Sequence, residues 1–324
     1  MTEPFTRPDT AAFLTFLNAL PGPKMHQLSP PEARAAAVMM RDVADAPVGE
    51  LAVIRDLEAE GAAGPLRARL FDARESREPG PVMVFFHGGG WVIGDLDTHA
   101  PFCAAAARQL DLPIVAIDYR LAPEAPWPAA PDDCEAAARW VASNPASLGR
   151  VATGLVLCGD SAGCNLTIVT AMALRDSPAA VPVIAQFPIY PATDMSNPYP
   201  SFDAFAEGRL LTREAMEWFG ANYAAEADHV RTSPLLGSHE NMPATLVLTA
   251  GLDPIRDQGR AYAAALARAG VPVTFREAAG NIHGFINLAR GIPSSAGDIA
   301  AALAVLKAIV VEAEANRVMA QAAG

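Results

Sequence analysis

One serine lies in a sequence pattern that holds nucleophiles. Residues 159–163 read Gly-Asp-Ser-Ala-Gly, a G-x-S-x-G match that directly follows the apolar run LVLC and directly precedes a helical pattern. This context predicts a sharp strand–turn–helix elbow that exposes the hydroxyl of Ser161. The glycines on either side leave room where the chain doubles back on itself. Because a free serine hydroxyl is a weak nucleophile at neutral pH, the pattern predicts covalent catalysis only if a base lies nearby.

His283 is the histidine whose position best suits such a base. It lies in a loop directly after the predicted strand VPVTFREA, and ligands of open α/β sheets bind where the carboxyl ends of the parallel strands meet. The other histidines precede the sheet, precede the serine, or lie in an insertion or before a strand: His26, His87, His99, His229 and His239. We therefore predict that His283 accepts the proton of Ser161.

The base needs an acid that fixes its tautomer and stabilises its charged form. Asp253 follows the predicted strand ATLVLTA in the sequence Gly-Leu-Asp-Pro, again at the carboxyl edge. Asp257 is the alternative, but it comes four residues later and falls inside a predicted helix that turns it away. We favour Asp253, which completes a relay of Ser161, His283 and Asp253.

A glycine-rich loop offers groups that bind the negative charge of a tetrahedral intermediate. Residues 87–91 read His-Gly-Gly-Gly-Trp and follow the apolar run VMVFF. Without side chains, the backbone N–H groups of such a loop can approach an oxyanion closely. The predicted N–H donors are Gly89, Gly90 and Ala162, with Gly88 as an alternative.

The neighbouring aromatic residues fit two roles. Trp91, Tyr190 and Phe285 suit the wall of a substrate pocket and the hydrophobic core equally well, and we carry them as candidate substrate contacts. His87 directly precedes the glycines. We expect it to hydrogen-bond to backbone and shape the loop rather than to take part in the chemistry.

These residues need a scaffold that brings distant loops together, and the hydrophobic pattern indicates an α/β fold. Residues 50–58 and 65–72 are typical of strands, and the second stretch alternates polar and apolar residues as a half-exposed hairpin arm does. Short apolar runs that suit strands covered on both faces lie at residues 82–87, 113–119, 154–159, 182–190, 244–250 and 271–277. Helical stretches separate the runs, so we predict a mostly parallel, eight-stranded sheet that is doubly wound with right-handed crossovers.

Two helical regions lie outside this alternation. The first is residues 1–48, and the second is residues 192–234, which contain no core strand although a crossover needs fewer residues. We predict that both form a helical cap over the carboxyl edge of the sheet, and the alternative is ordinary surface helices. The catalytic domain then consists of residues 49–191 and 235–324.

Composition and charge argue against several classes of function. With a formal net charge of −12, neither nucleic acid nor an anionic membrane surface is an expected partner. The four cysteines show no metal-ligand spacing and are too few for a disulfide framework in 324 residues. The amino terminus has no secretory pattern, and no apolar run reaches the length of a membrane span. We expect a cytoplasmic protein without cofactor or metal.

Together the motifs resemble those of the bacterial hormone-sensitive-lipase-like esterases, the family IV carboxylesterases of the α/β-hydrolase superfamily. The shared motifs lie at residues 87–91, 118–124, 159–163, 253–257 and 283–285. They follow the family's order of serine, acid and histidine. The resemblance implies hydrolysis of short- to medium-chain acyl esters through a covalent acyl-enzyme, a cap, no cofactor, and often a homodimer formed through the sheet edge. An amidase or acyltransferase on the same fold, or a non-catalytic receptor derived from it, is the alternative.

Two positions depart from the family pattern. Cys164 stands where glycine is common after the elbow, so its side chain either crowds the helix start or exposes a thiol near the site. Ala100 stands where relatives tend to have aspartate after a Thr-His pair, so we expect a supporting ion pair with Arg120 to be missing. Neither change touches the serine, the acid or the histidine.

Overall fold

An eight-stranded sheet runs through the centre of the computed structural model, which describes residues 4–323. The strands β1 to β8 are, in chain order, Val53–Gly61, Gly64–Asp72, Gly80–Phe86, Ile114–Ile117, Ala152–Asp160, Val183–Ile189, Ala244–Ala250 and Val273–Ala278. Their spatial order is β1-β2-β4-β3-β5-β6-β7-β8. Strand β2 pairs antiparallel with β1 and with β4, and the remaining neighbours pair parallel.

Helices cover both faces of this sheet. The helices α1 to α9 are, in chain order, Pro8–Ala19, Pro30–Ala44, Ala100–Leu110, Ala129–Ala142, Ala162–Asp176, Pro200–Phe205, Arg213–Tyr223, Arg256–Arg268 and Ser295–Ala323. Successive residues of β3 enter opposite cores, because side chains alternate along a strand. Val84 belongs to one buried apolar cluster with residues of α4, α5 and α8, whereas Met83 and Phe85 belong to a second cluster with residues of α3 and α9. Since both faces are buried, the central strands are continuous apolar runs.

The predicted fold class is confirmed, and each of the eight predicted strands is present. The strand predicted at residues 244–250 has the predicted bounds, and the other seven differ by one to three residues at one or both ends. The strand predicted at residues 50–58 begins at Val53 and continues to Gly61, and the one predicted at residues 113–119 ends at Ile117. Beyond Ile117 the chain leaves the sheet, and the Tyr119 hydroxyl donates to the carbonyl oxygen of His87 (2.7 Å). This end of β4 therefore supports the glycine loop.

The helices outside the alternating pattern pack on the carboxyl edge of the sheet. Phe13 of α1 and Phe205 of α6 form an apolar cluster with Leu252, which lies just after β7. Phe219 of α7 packs against Gly90, in the loop after β3. Both helical regions thus contact loops that carry candidate site residues. The first three residues of the chain, which belong to the first region, and the last residue lie outside the described structure.

Neither a membrane span nor a metal site is found among residues 4–323. No helix there is both long and apolar enough to cross a bilayer. No group of three His, Cys, Asp or Glu side chains in that part of the chain is placed to hold a metal ion. The four cysteines are buried and unpaired.

Candidate active site

Ser161 joins β5 to α5 in a backbone conformation that few residues other than glycine adopt. Its φ of 54° and ψ of −119° reverse the chain sharply between strand and helix. The elbow closes because Gly163 has no side chain, since a Cβ atom there would collide with the carbonyl oxygen of Phe86. The Ser161 N–H donates to the carbonyl oxygen of Ile189 (2.9 Å), which fixes the elbow to the end of β6.

The three side chains of the predicted relay form one continuous hydrogen-bonded chain. The Ser161 hydroxyl oxygen lies 2.8 Å from His283 Nε2, and His283 Nδ1 lies 2.7 Å from Asp253 Oδ2. Because a buried carboxylate accepts hydrogen bonds only, we assign the proton to Nδ1, which donates to Asp253. Nε2 then has a free lone pair, and the Ser161 hydroxyl donates to it.

Asp253 is held by hydrogen bonds from a backbone N–H group and from the histidine. It is fully buried after β7, and its Oδ1 accepts the N–H of Ile255 (2.9 Å). Asp257 lies instead in α8, where its carboxylate accepts hydrogen bonds from the Ser201 N–H (3.0 Å) and from Arg256 Nε (2.9 Å). The geometry therefore pairs the histidine with Asp253 and gives Asp257 a structural role.

Free backbone donors lie at the glycine loop and at the elbow. Gly89, Gly90 and Trp91 have φ angles of 114°, 58° and 61°, a run of positive values that turns the loop sharply. Within residues 4–323, the N–H groups of Gly89, Gly90 and Ala162 donate to no protein atom. Ala162 is also the first residue of α5, where helix N–H groups lack intrahelical partners. These groups are available to an oxyanion.

Asp160 is a buried carboxylate that supports the same loop. Its Oδ1 accepts the Gly88 N–H (2.7 Å) and lies 3.2 Å from His99 Nε2, and its Oδ2 accepts the Tyr190 hydroxyl (3.2 Å). Since the Gly88 N–H is occupied in this way, we remove Gly88 from the candidate oxyanion donors. Burial acts to raise the pKa of Asp160, but His99 and the Gly88 N–H outweigh it and the pKa lies below its usual value. The role of Asp160 was not predicted, although an acid at the end of an apolar strand is a signal in the sequence.

His87 is a neutral ring bound to backbone. It stacks on Tyr119 with 4.3 Å between the ring centroids, and its Nδ1–H donates to the carbonyl oxygen of Gly88 (2.8 Å). Burial lowers the pKa of His87 to about 4, so the ring is uncharged at neutral pH. These contacts fit the expected role of shaping the loop.

Known proteins are similar to this chain in fold and in sequence. A family model described as the alpha/beta hydrolase fold matches residues 83–287, which is more than half of the chain. The chain belongs to the α/β-hydrolase family. It is 40% identical to the carboxylic ester hydrolase LipN of Mycobacterium tuberculosis over 72% of this chain, and the match spans 65% of LipN's own length. It is 35% identical to the ethyl acetate hydrolase of Pseudomonas putida over 87% of this chain and 92% of that protein.

A solved structure extends the match to nearly the whole α/β-hydrolase. LAE6, an α/β-hydrolase enzyme from the metagenome of Lake Arreo, superposes with a TM-score of 0.89 at 36% identity. The superposition covers 94% of this chain and 98% of that one. The resemblance to the bacterial hormone-sensitive-lipase-like esterases is thereby confirmed.

The three aromatic residues predicted as candidate substrate contacts pack against neighbouring side chains in this α/β-hydrolase. Tyr190 and Phe285 are fully buried, and their rings pack edge to face at 5.5 Å. Tyr190 also packs against the ring of His283 at 4.6 Å. Trp91 is stacked on Tyr223 of α7 at 4.2 Å. These contacts favour a packing role for the three rings, and their role as substrate contacts stays a prediction.

Two further side chains of the 192–234 region contact the site loops. The ring of Phe219 packs so tightly against Gly90 that a Cβ atom on the glycine would overlap it. Leu210 Cδ2 would lie 3.1 Å from a Cβ atom on Gly284, the residue after the histidine. The sequence pattern did not single out either side chain as a substrate contact, because their position depends on how the insertion folds back.

Cys164, the first departure from the family pattern, is packed in the protein interior. Its thiol is fully buried, 2.8 Å from the carbonyl oxygen of Gly159 and 2.9 Å from that of Ile189. Burial raises the pKa of this thiol well above its usual value. The option of an exposed, reactive thiol is therefore wrong.

Ala100, the second departure, does not leave Arg120 without an ion pair. Ala100 lies in α3 within an apolar cluster. Arg120 Nε lies 2.7 Å from a carboxylate oxygen of Asp133, and its backbone N–H donates to the same oxygen (3.1 Å). The expected loss of a pair is wrong, because an acid on α4 supplies it.

Proposed function

We propose that this α/β-hydrolase cleaves carboxylic esters, with Ser161 as the nucleophile, His283 as the general base and Asp253 as the acid that orients the histidine. The observation that carries the proposal is the unbroken hydrogen-bonded chain from the serine hydroxyl, through both ring nitrogens, to a buried carboxylate. Such a chain activates an otherwise weak nucleophile. Relatives named as a carboxylic ester hydrolase and an ethyl acetate hydrolase support esters as the substrate class.

Acylation begins when His283 Nε2 takes the hydroxyl proton and Ser161 Oγ bonds to the ester carbonyl carbon. The carbonyl oxygen becomes an oxyanion, to which the free N–H groups of Gly89, Gly90 and Ala162 donate. The positive amino-terminal end of α5 adds to this stabilisation. The intermediate collapses when the bond to the alcohol oxygen breaks, and Nε2–H gives its proton to that oxygen. The product of this half-reaction is an acyl-enzyme.

Deacylation repeats these steps with water. Nε2 takes a proton from water while the water oxygen bonds to the acyl carbon, and the same N–H groups bind the second oxyanion. The bond to Ser161 Oγ then breaks, the serine regains its proton from Nε2–H, and the carboxylic acid leaves. Throughout, Asp253 holds Nδ1–H and stabilises the charged ring of His283 without taking its proton. Every proton and electron pair is accounted for without a cofactor.

We propose short- to medium-chain acyl esters as substrates, with the two helical regions acting as the cap that limits substrate size. The packing of Phe219 on the glycine loop and of Leu210 on the histidine loop supports this role. The apolar cluster of α1 and α6 with the residue after β7 supports it as well. A cap that presents apolar side chains to the site favours an uncharged acyl group.

Two alternatives fit less well. The names of the relatives favour ester hydrolysis over an amidase or an acyltransferase. A non-catalytic receptor has no need for a serine hydrogen-bonded to a histidine, yet that bond measures 2.8 Å. We retain the esterase as the proposal.

We also propose that the protein is a cytoplasmic homodimer. Unpaired, buried cysteines fit a reducing compartment. Strand β8 is the last strand of the sheet, and no other strand of residues 4–323 pairs with its outer side, so that side is the candidate partner of a strand from a second copy. Light scattering coupled to size exclusion tests the dimer, and a monomer at micromolar concentration would contradict it.

Ser161→Ala tests the proposed function. With a chromogenic p-nitrophenyl ester of a short acid, we expect kcat to fall by about 10⁴-fold or more, because no other group replaces the nucleophile. The matched control is Ser177→Ala, at the exposed far end of α5, and it should keep wild-type kcat. Circular dichroism and the melting temperature should be the same for the variants and the wild type. Substantial turnover by a folded Ser161→Ala variant would contradict the assignment.

A further inference from the structure

The glycine loop holds a conformation that its own sequence does not favour throughout. Gly89, Gly90 and Trp91 have consecutive positive φ angles of 114°, 58° and 61°. Glycine adopts such angles freely, but tryptophan does so only where surrounding contacts hold it. The free N–H groups of Gly89 and Gly90 belong to this stretch, so the contacts that hold the loop also set where those donors point.

Contacts from three separate elements hold the loop. The carbonyl oxygen of Trp91 accepts the N–H of Ala122 (2.9 Å), and its ring stacks on Tyr223 of α7 (4.2 Å). The third contact comes from α2, where Arg34 Nε donates to the carbonyl oxygen of Val92 (2.8 Å). An Nη of the same guanidinium donates to the carbonyl oxygen of Ala122 (2.9 Å). Arg34 thus bridges the loops that follow β3 and β4.

No other donor satisfies these two carbonyl oxygens in the part of the chain that the structure describes. Val92 and Ala122 are both buried, at 0% and 1% exposure. A buried carbonyl that loses its partner is unfavourable, so the loop would shift to find another donor. A guanidinium suits this position because its donors point in fixed directions, which the single ammonium of a lysine does not reproduce.

Glu124 contacts the guanidinium from the solvent side. Its carboxylate accepts hydrogen bonds from both Nη atoms of Arg34 (2.9 and 2.6 Å). The Glu124 side chain is 58% exposed and that of Arg34 is 29% exposed, and an ion pair this close to solvent contributes little by itself. The inner bonds to the two carbonyl oxygens are therefore the ones that bear on the loop.

We propose that Arg34 is a positioning residue for the oxyanion hole. It touches no reacting atom and acts through the carbonyl oxygens of Val92 and Ala122, which fix the loop that presents the Gly89 and Gly90 N–H groups. In this way the amino-terminal helical region is coupled to the chemistry as well as to substrate size. A slightly displaced loop still admits an ester, but its donors no longer meet the oxyanion, so the loss falls on the transition state.

Arg34→Met tests the proposal, because methionine keeps an apolar stem and removes every donor. With p-nitrophenyl butyrate we expect kcat to fall about 10- to 100-fold and KM to change by less than about threefold. A trifluoromethyl ketone, which forms a tetrahedral oxyanion on the serine, should bind more weakly by the factor that kcat/KM loses. If Arg34 had a purely structural role, the loss of ketone affinity would not follow the loss of kcat/KM.

Three further variants separate the inner bonds from other effects. Arg41→Met is the matched control, since Arg41 also lies on α2 and donates to a backbone carbonyl, that of Asp97 (3.1 Å), outside the glycine loop. Glu124→Gln removes the ion pair and leaves the inner bonds. Both variants should keep kcat within about threefold of wild type, as surface substitutions usually do. Arg34→Lys should have a kcat between those of wild type and Arg34→Met.

The outcomes that overturn the proposal are specific. Wild-type kcat in folded Arg34→Met would do so, as would an equal loss in Arg41→Met, which would indicate general loosening of α2. If Arg34→Met does not fold, Arg34→Lys decides: a kcat below that of Glu124→Gln, with weaker ketone binding, supports the proposal, and equal values overturn it. The inference rests on the proposed ester hydrolysis. Turnover by the wild type in the same assay distinguishes failure of the proposed function from failure of the proposed role of Arg34. An inactive wild type contradicts the function, whereas an active wild type and an equally active Arg34→Met contradict only the role of Arg34.

Discussion

The relay and the oxyanion loop meet at one serine, yet the fold holds them in different ways. The relay consists of side chains placed by strand ends, since Ser161 follows β5, Asp253 follows β7 and His283 follows β8. Parallel pairing alone brings those ends to one edge. The loop offers backbone groups in positive-φ conformations, and its shape depends on hydrogen bonds from its backbone to Asp160 and Arg34. Side-chain chemistry thus follows from topology, whereas backbone chemistry follows from the supports around it.

This difference implies different responses to mutation. A relay of hydrogen bonds in series fails as a whole when one member is lost, because the base takes the serine proton only while the acid holds its tautomer and charge. A loop held by several independent contacts fails by degrees, because each contact sets part of the position of the donors. The largest losses should therefore come from the relay and graded ones from the loop supports.

Among the variants that compare the relay with the loop, Asp253→Asn should give the largest loss of kcat. We expect kcat to fall by about 10⁴-fold, because the amide stabilises the wrong tautomer of the histidine while the geometry stays intact. Steady-state kinetics with a p-nitrophenyl ester measures the loss. Asp257→Asn is the control, since that carboxylate bonds to Ser201 and Arg256, and it should keep most of the activity. Equal losses in the two variants would remove Asp253 from the relay.

Asp160→Asn should give an intermediate effect, because it weakens the loop and leaves the relay in place. The carboxylate accepts the Gly88 N–H and the Tyr190 hydroxyl, and an amide cannot accept both bonds in the same geometry. We expect kcat to fall about 10- to 100-fold and the free energy of unfolding to fall by about 1–3 kcal/mol. Kinetics and urea unfolding measure the two quantities. A loss as large as that of Asp253→Asn would contradict the distinction between relay and loop.

His87 should affect the pH dependence of stability and not the chemical step, which separates support of the loop from the relay. Burial lowers the pKa of its folded state to about 4 from an ordinary value of 6.5, so between these pH values the unfolded chain binds a proton that the folded chain does not. Its contribution is therefore complete above pH 6.5 and is lost as the pH falls towards 4, by up to about 3 kcal/mol. His87→Asn should flatten the pH dependence of the free energy of unfolding over that range. Equal slopes in urea unfolding of wild type and variant would contradict this role.

The sequence was informative about the fold because apolar runs and helical periods are local. Six strands were predicted from such runs and the first two from a strand-like residue pattern. The serine, the acid and the histidine were candidates because of where their strands end. Asp160 and Arg34 were not predicted, since their roles come from contacts 72 and 58 residues away along the chain. Tyr190 and Phe285 were ambiguous, because an aromatic residue beside a site has the same sequence signature whether its ring is open or covered.

The central claim is that Ser161 is the nucleophile, and covalent labelling tests it most directly. Intact-mass and peptide-mapping spectrometry should follow reaction of the wild-type protein with a p-nitrophenyl alkyl phosphonate. We expect a single phosphonyl group on the peptide that contains Ser161, and esterase activity that falls in proportion to the labelled fraction. A label on another residue, or full activity in the labelled protein, would contradict the account.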